Sequence, residues 1–482
     1  MKSMKRIAAI GVCFGAMLVS LNNYGQNTSS TVLSLKQCIE TGIANNMDVQ
    51  QRELQAQVDK TDLRQSKMNL LPDLNASAGH GFSQGRSIDP YTNSPVTQAF
   101  NSSNYSVSSN VVLFNGMAIQ NNIKRNSLDY KASMMEWQQE KDNLTVNIIL
   151  AYLQVLSNTD QLEQARNQLA LSSKQTERLE ILNKEGAIRP ADLSDLKGQY
   201  ASDQLAIVNT QNSLELAKIN LCRLMNVQYD KNITLEKIAP ESFVATYENN
   251  PGVIYETAVK QLALIKAVDY RRQSADKAVK VERGRLFPTL SFGANASTRY
   301  VSGTVQSNYL NTVYAPTSDT VIVSNVKYPV YSFQDKFSKP ERISYGGQLD
   351  NNLNTFYGFS LNIPIFNSLS QRTRLRQAQI NFKLAELTAK TTRTQLSRDI
   401  DQAYVNMTSA SDRYKALQDQ TNAYNESFRA AGILFQQGAT NSVEYLIAKN
   451  NLDRANINFI IAKYDYVLRS KILDYYQGKQ LW

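Results

Sequence analysis

The chain contains two copies of one pattern, and this duplication limits its fold more than any other feature. The stretch "VVLFNGMAIQNNIKRNSLDY" ends at Tyr130, and "NIPIFNSLSQRTRLRQAQINF" ends at Phe382, 252 positions later. The same offset relates Gly186 to Gly438 without a gap. Upstream, "LLPDLNASAG" matches "LFPTLSFGAN" at an offset of 216, so the second copy has 36 additional residues between its two segments. Both halves should therefore fold alike.

Each copy contains two segments in which apolar residues alternate with small polar ones. In "YGFSLNIPIF" every second residue from Tyr357 to Ile365 is apolar, and the residues between are Gly, Ser, Asn and Pro. Segments of about ten residues with one apolar face are typical of outer-membrane barrel strands; a half-buried soluble sheet is the alternative. The predicted strands cover about 72–83, 105–114, 288–299 and 357–366.

The segments between the paired strands, about 84–104 and 300–356, are rich in Ser, Asn, Tyr, Gly and Pro. Surface loops accept insertions at low cost, so we expect external loops that contain the 36 additional residues.

Long helices should follow the second strand of each copy. Between Asn115 and Lys184 there is no proline, and apolar residues recur at heptad spacing. Continuous helices over about 116–184 and 368–436 would each be roughly 100 Å long at 1.5 Å per residue. Helices of this length are expected in a fibrous or tube-like protein.

A glycine-centred hairpin should end each long helix. Gly186 and Gly438 stand where a left-handed helix end belongs, within turns predicted at about 185–190 and 437–442. Pro190 suits the first turn of one return helix, and Asn441 suits the N-cap of the other. A further helix should precede the first strand of each copy, over about 34–71 and 253–286.

The termini and the middle of the chain complete the predicted organisation. Residues 1–25 have basic residues followed by an apolar run, as in a secretory signal peptide; the run is short for a retained membrane anchor, which is the alternative. The first repeat then covers 26–226 and the second 253–482. Residues 227–252, with mixed polarity, should form an equatorial linker around the helices.

The residues that enzymes need are scarce in this chain. The single histidine, His80, lies on the apolar face of a predicted strand. No nucleophile stands beside a base, no glycine-rich loop follows a strand, and no metal-ligand spacing occurs, so we expect no catalytic, cofactor-binding or metal site. The net charge is +10, but the basic residues are interspersed with acids, which argues against nucleic-acid binding.

Four strands cannot close a barrel, and open strand edges in lipid leave backbone groups unpaired. Other subunits must therefore complete the sheet. A trimer would supply twelve strands and gather the long helices into a hollow tube, which predicts a water-filled conduit across the outer membrane. A non-transport periplasmic coiled-coil tether is the alternative, although it would not need alternating strands at each helix junction.

In the order of its motifs the chain resembles the TolC outer-membrane efflux family. The resemblance rests on the opening "LSLKQCIETGIANN", the "LLP" and "LFP" junctions, both "FN" strand exits and both hairpins, and "GRSIDPYTN" resembles Bacteroidetes-type members. It implies a mostly α fold with a β-barrel part: a homotrimer with an α-helical tunnel in the periplasm and a 12-stranded barrel in outer-membrane lipid of a Gram-negative bacterium.

The same resemblance implies a function and its sites. Such a protein is the exit duct of a tripartite efflux or type I secretion system, with a periplasmic membrane-fusion adaptor and an inner-membrane RND or ABC-type pump as partners. Adaptor docking at the tip falls on Gly186, Ala187, Ile188, Gly438, Ala439 and Thr440. The strand-to-helix junctions are Phe114, Asn115, Phe366 and Asn367.

Three acids are candidates for gating or cation selectivity at the tip. Asp192 and Glu444 match acidic tip positions of the family, and Asp195 lies one turn after Asp192. Ile447 stands where the second copy would need a counterpart of Asp195, which weakens the prediction of a double acidic ring there. The alternative is that acids in a first helical turn only stabilise the helix dipole.

Overall fold

The structure is a computed structural model that describes residues 32–88, 93–238 and 250–479. The predicted signal peptide and the part of the predicted linker at 239–249 lie outside these residues. The elements of the first half are β1 (Val32–Leu33), α1 (Leu35–Asn45), α2 (Met47–Met68), β2 (Asn75–Ile88), β3 (Pro95–Phe114), α3 (Ala118–Lys184), α4 (Pro190–Met225) and β4 (Thr234–Leu235). Those of the second half are α5 (Pro251–Gln261), α6 (Ala263–Gly284), β5 (Thr289–Val301), β6 (Val305–Gln306), β7 (Tyr309–Val323), β8 (Val326–Phe337), β9 (Glu341–Arg342), α7 (Tyr345–Asn351), β10 (Asn354–Asn362), α8 (Ser370–Gln436) and α9 (Ser442–Tyr476).

The chain divides into two compact units, and each unit takes corresponding parts of both copies. One unit contains residues up to Gln50, then Lys141–Ile254 and Ile400 onwards. The other contains Gln51–Glu140 and Tyr255–Asp399. Each repeat is therefore a unit of sequence and of local structure. Each compact unit instead combines equivalent parts of the two repeats, because the long helices contribute residues to both units.

The two long helices, α3 and α8, are each 67 residues long. They begin two residues later than the sequence predicts. At both junctions two consecutive residues have positive φ: Gly116 and Met117 (both 63°), and Ser368 (53°) and Leu369 (59°). Left-handed backbone cannot continue a right-handed helix, so these pairs fix where α3 and α8 start.

The helix that precedes the sheet is broken in both copies, whereas a continuous helix was predicted in each. The breaks fall at Asn46 and Leu262, which are related by the same offset of 216 as the following strand segments. Asn46 has extended backbone, and its Oδ1 accepts the N–H of Asp48 at 2.9 Å and that of Val49 at 3.3 Å. It therefore ends α1 and caps α2, a double role that apolar periodicity does not reveal.

Four strands form one antiparallel sheet in the order β10-β5-β3-β2. Directly paired residues share a face, and the pairs include Val107 with Ala296 and Phe292 with Phe359, whose ring centroids are 5.2 Å apart. The edges of this sheet are β2 and β10. Both have an exposed row of backbone groups on the side away from the sheet within the protomer described.

The opposite face of the sheet is small and polar. Ser77 on β2 pairs with Ser106 on β3, and Ser106 pairs with Ser297 on β5. The Ser77 and Ser106 hydroxyl oxygens are 2.7 Å apart and form a hydrogen bond. The sheet thus has one apolar and one hydrophilic face, as the alternation predicts.

The strand ends differ most from the prediction in β10 and in the paired strands β2 and β3. The fourth strand stops at Asn362 rather than at 366, so Phe366 is not the end of a strand. Pro364 explains this because it has no N–H to donate to the ladder. In the first copy most of the predicted external loop at 84–104 belongs to β2 and β3, which remain paired as far as Ile88 and Pro95.

Buried contacts hold the short strands β1 and β4, which belong to the unit that contains Lys141–Ile254. β1 and β4 pair in parallel. The Tyr152 hydroxyl of α3 is fully buried and lies 3.1 Å from the Leu33 carbonyl oxygen and 2.8 Å from that of Glu236. Cys38 and Cys222 are buried free thiols, and burial raises the pKa of Cys38 to about 12.

Candidate functional site

The turns after α3 and α8 have the same backbone geometry. Gly186 has a φ of 73° and Gly438 a φ of 72°. The Ala187 N–H donates to the Leu182 carbonyl at 2.8 Å, and the Ala439 N–H donates to that of Leu434 at 2.9 Å. These bonds satisfy the last carbonyls of each long helix and reverse the chain into α4 and α9.

The two return helices begin with different caps. Pro190 is the first residue of α4, and its N-cap residue Arg189 makes no capping hydrogen bond. In contrast, the Asn441 side chain accepts the N–H of Glu444 at 3.0 Å at the start of α9. The copies therefore share a fold at the tip but not its chemistry.

Two of the three candidate acids converge on one serine of the other copy. The Ser442 hydroxyl oxygen lies 2.7 Å from Asp192 Oδ1 and 3.0 Å from Asp195 Oδ2. Ser442 is only 1% exposed and is the first residue of α9. One hydroxyl has one proton, so it can donate to only one of the two carboxylates at a time. The contact joins the start of α4 to the start of α9.

Asp192 lies in an environment that favours its ionised form. The hydrogen bond from Ser442 holds the pKa of the Asp192 carboxyl below its usual range, and the neighbouring Arg189 guanidinium acts in the same direction. Arg189 Nε is 3.1 Å from Asp192 Oδ2. At neutral pH the carboxyl is therefore an anion that accepts from both copies of the repeat.

Glu444 does not join this contact. Its carboxylate accepts a short hydrogen bond from the Thr440 hydroxyl within its own turn. Glu444 and Asp192 instead line a common depression of about 690 Å³ between the two hairpins. Most of the residues predicted for adaptor docking also line it: Ala187, Ile188, Gly438, Ala439 and Thr440.

Below the turns lie an apolar cluster and a buried ion cluster that were not predicted from the sequence. Tyr445 packs with Leu179 and Leu196, and its ring centroid is 4.8 Å from that of Phe435. One turn further along α9, Lys449 Nζ lies 3.1 Å from Asp203 Oδ2 and 2.7 Å from Asp453 Oδ2. Lys449 follows Tyr445 by four residues, and this spacing on one helical face could have identified it as inward-facing.

In the part of the chain that the structure describes, no helix combines the length and apolarity needed to cross a membrane. Across residues 32–88, 93–238 and 250–479, no group of three or more His, Cys, Asp or Glu side chains is placed to hold a metal ion.

Comparison with solved structures shows the fold. CusC aligns with a TM-score of 0.75 at 16% identity, over 92% of this chain and 92% of that one. VceC of Vibrio cholerae aligns with a TM-score of 0.73 at 14% identity, over 93% and 97%. The open state of the MtrE outer membrane channel of Neisseria gonorrhoeae aligns with a TM-score of 0.72 at 14% identity, over 93% and 89%. The chain thus has the TolC-like fold.

Comparison by sequence shows the family. No curated protein matches the chain significantly. The model of the outer membrane efflux protein family matches residues 38–227 and 343–478, which is well over half of the chain. The protein therefore belongs to the outer membrane efflux protein family and is an efflux protein of the cell outer membrane.

Proposed function

We propose that three copies of this chain form the exit duct of a tripartite efflux or type I secretion system. Substrates pass from an inner-membrane RND or ABC-type pump, through a periplasmic adaptor, into the helical tunnel and out through a barrel of twelve strands. No chemical step on the substrate is required. The chain supplies a path, and energy comes from the pump.

The four-stranded sheet is the observation that carries this proposal. It has an apolar face, a small polar face and two edges, β2 and β10, that are unpaired within the protomer. In lipid each unpaired backbone group costs several kcal/mol, so an open sheet of this kind needs neighbours on both edges. Closure by two further copies satisfies both edges and turns the polar face towards a water-filled lumen.

The tip carries the proposed docking and closing functions. The depression between the hairpins offers the adaptor a surface formed by both copies. The hydrogen bond that the Ser442 hydroxyl donates to Asp192 or Asp195 joins α4 to α9, and we assign it the role of a latch that holds the tip closed. An adaptor that spreads the hairpins would have to replace this bond.

Conductance measurements test the duct directly. Purified wild-type protein in a planar bilayer should give a small, mostly closed conductance, because the tip is latched. A tether without a lumen would give none, and a general porin would give a large, permanently open one. Either of these results would contradict the proposal.

The Ser442→Ala variant tests the latch. It removes the hydroxyl that Asp192 and Asp195 share and leaves Asp192 with Arg189 as its side-chain donor. A hydrogen bond to a charged group contributes about 1.5–3 kcal/mol. Since 1.4 kcal/mol is about tenfold in an equilibrium constant, we expect the open state to become at least about tenfold more populated in single-channel recordings. Ser194→Ala is the matched control, because its hydroxyl bonds only to the Pro190 carbonyl within α4. Equal open probabilities in the two variants would rule out the latch.

The latch should also depend on pH in one direction. Asp192 has a lowered pKa in the closed tip, so its contribution is present above its ordinary pKa and is lost as the pH falls through the lowered value. Wild-type channels should therefore stay latched through neutral pH and open more often only in acid.

A further inference from the structure

One part of the second copy has no counterpart in the first and no role in the duct described above. The strands β7 and β8 form an antiparallel hairpin whose substantial contacts are with each other. It occupies residues 309–337, inside the segment that holds the additional residues of copy two. Its turn, Ser324–Asn325, has positive φ at both residues, as the tight hairpin turn of this type requires.

The hairpin exposes an apolar surface of unusual extent for its size. On one face, Tyr314 is paired with Phe333, and Pro316 with Tyr331. The Tyr314 ring centroid is 5.2 Å from that of Phe333 and 5.6 Å from that of Tyr331, yet Phe333 remains 77% exposed. Further exposed apolar side chains lie near the turn, with Ile322 on this face and with Val321, Val323, Val326 and Tyr328 on the opposite face. An isolated two-stranded hairpin is marginal in water, and a cluster of exposed aromatic side chains indicates a binding surface.

The chain leads from the base of the hairpin to an edge strand of the sheet. At its base the Ser338 N–H donates to the Asn308 carbonyl at 2.7 Å, and β6 pairs with β9 below. The chain then passes through α7 into β10, which is the edge strand of the sheet. In a closed barrel this edge is where the next subunit begins. The hairpin is thus connected through one short helix to the edge that a neighbouring copy must cover.

The charges of the hairpin also suit association with its own copies. Residues 309–337 contain two lysines, Lys327 and Lys336, and two aspartates, Asp319 and Asp335. The net charge is zero, so three copies gathered around one axis would not repel one another. A surface that bound anionic lipid headgroups would need an excess of basic residues.

We propose that the aromatic face of β7–β8 packs against the same hairpin of the neighbouring subunits, so that three hairpins dock together at the external mouth of the duct. This rests on the trimer of the proposed function. Because trimer formation already holds the hairpins near one another, even a weak contact between two hairpins would be formed most of the time.

Cross-linking tests the contact. In purified trimers with a short bis-maleimide, the Phe333→Cys variant should give covalent dimers and trimers at a yield that does not change on dilution. Ser332→Cys is the matched control, because position 332 pairs with Ala315 on the opposite face. Equal yields from both variants, no product from either, or a yield that falls on dilution would overturn the proposal. So would protection of the Phe333→Cys thiol only when lipopolysaccharide vesicles are added, since that would assign the face to lipid.

A deletion provides the second test. Removing 309–337 and joining Asn308 to Ser338 through two glycines keeps the paired stem of β6 and β9. We expect this variant still to form trimers that conduct, but with a higher conductance than wild type and a lower thermal stability of the trimer. A variant identical to wild type in both measurements would contradict the docking. If wild type itself forms neither trimers nor channels, the proposed function fails instead, and the two failures are distinguishable.

Discussion

We expect the Gly116→Ala change to lower the free energy of unfolding by about 3 kcal/mol and to remove most of the assembled trimer. Gly116 has a φ of 63°, and a Cβ there would overlap the backbone carbonyl oxygen of Gly284 at the end of α6. The left-handed conformation costs a non-glycine residue about 1–2 kcal/mol, and overpacking adds about 1–3 kcal/mol. Because the clash is with backbone, no side chain can move to relieve it.

Gly186→Ala separates the two contributions. Gly186 has a similar φ of 73°, but nothing lies within 4 Å of a Cβ added there. This variant should lose only about 1 kcal/mol, the conformational part alone. Thermal unfolding and the yield of detergent-stable trimer measure both variants side by side. If both changes cost the same, the close approach of Gly116 to Gly284 is not a constraint on the fold.

Gly116 also shows that residues at equivalent positions of the two copies do not always make equivalent contacts. Its counterpart in the second copy is Ser368, which has the same left-handed backbone, and Gly284 corresponds by the offset of 216 to Met68. The close approach of two glycines therefore occurs at one junction and not at the other. The sequence offset predicts the shared backbone path, whereas the packing at each junction depends on residues that the copies no longer share.

Helices and strands with a strong hydrophobic period could be predicted from the sequence, whereas most of the residues that break or end them could not. Heptad spacing without proline identified α3 and α8, and alternation identified the four strands of the sheet. The breaks at Asn46 and Leu262 were not predicted, because each depends on the extended backbone conformation of one residue rather than on a hydrophobic pattern. The early end of β10 could have been found, since Pro364 was visible and cannot donate to a ladder.

At the tip, the residue types were predictable but their pairing was not. Asp192 and Glu444 are candidates because they match acidic tip positions of the family, and Asp195 is one because it lies one turn after Asp192. The structure places the two aspartates on Ser442, a residue with no acidic or basic character, and leaves Glu444 in its own turn. This division depends on contacts between the copies, which lie about 250 positions apart in the chain.

The buried ion cluster near the tip leads to the second large effect. Lys449 is 1% exposed, and its partner Asp203 is 6% exposed and also accepts from the Gln199 amide at 2.7 Å. The Lys449→Met variant keeps most of the volume but leaves Asp203 and Asp453 without their cation. Removing one partner of a buried pair costs about 3–5 kcal/mol, so we expect a loss of that size at neutral pH.

The pH dependence of this loss distinguishes an unpaired charge from a simple packing defect. Burial already raises the pKa of Asp453 in the wild type, although Lys449 opposes the shift. Without Lys449, the folded-state pKa of Asp453 should rise further above its unfolded value. The penalty is then absent below the unfolded value and grows as the pH rises through the folded one. The difference in melting temperature between variant and wild type should therefore shrink as the pH is lowered towards the unfolded value.

The repeat provides the matched control for this experiment. Lys197 is the counterpart of Lys449 at the 252-residue offset, and its Nζ lies 2.8 Å from Glu180 Oε1 in an exposed pair. Exposed pairs contribute little, so Lys197→Met should melt like the wild type at every pH. A loss in Lys449→Met that stays constant with pH would mean that the cluster is held by packing alone. A loss that follows the pH would show that one copy of the repeat has buried a charge that the other copy leaves in water.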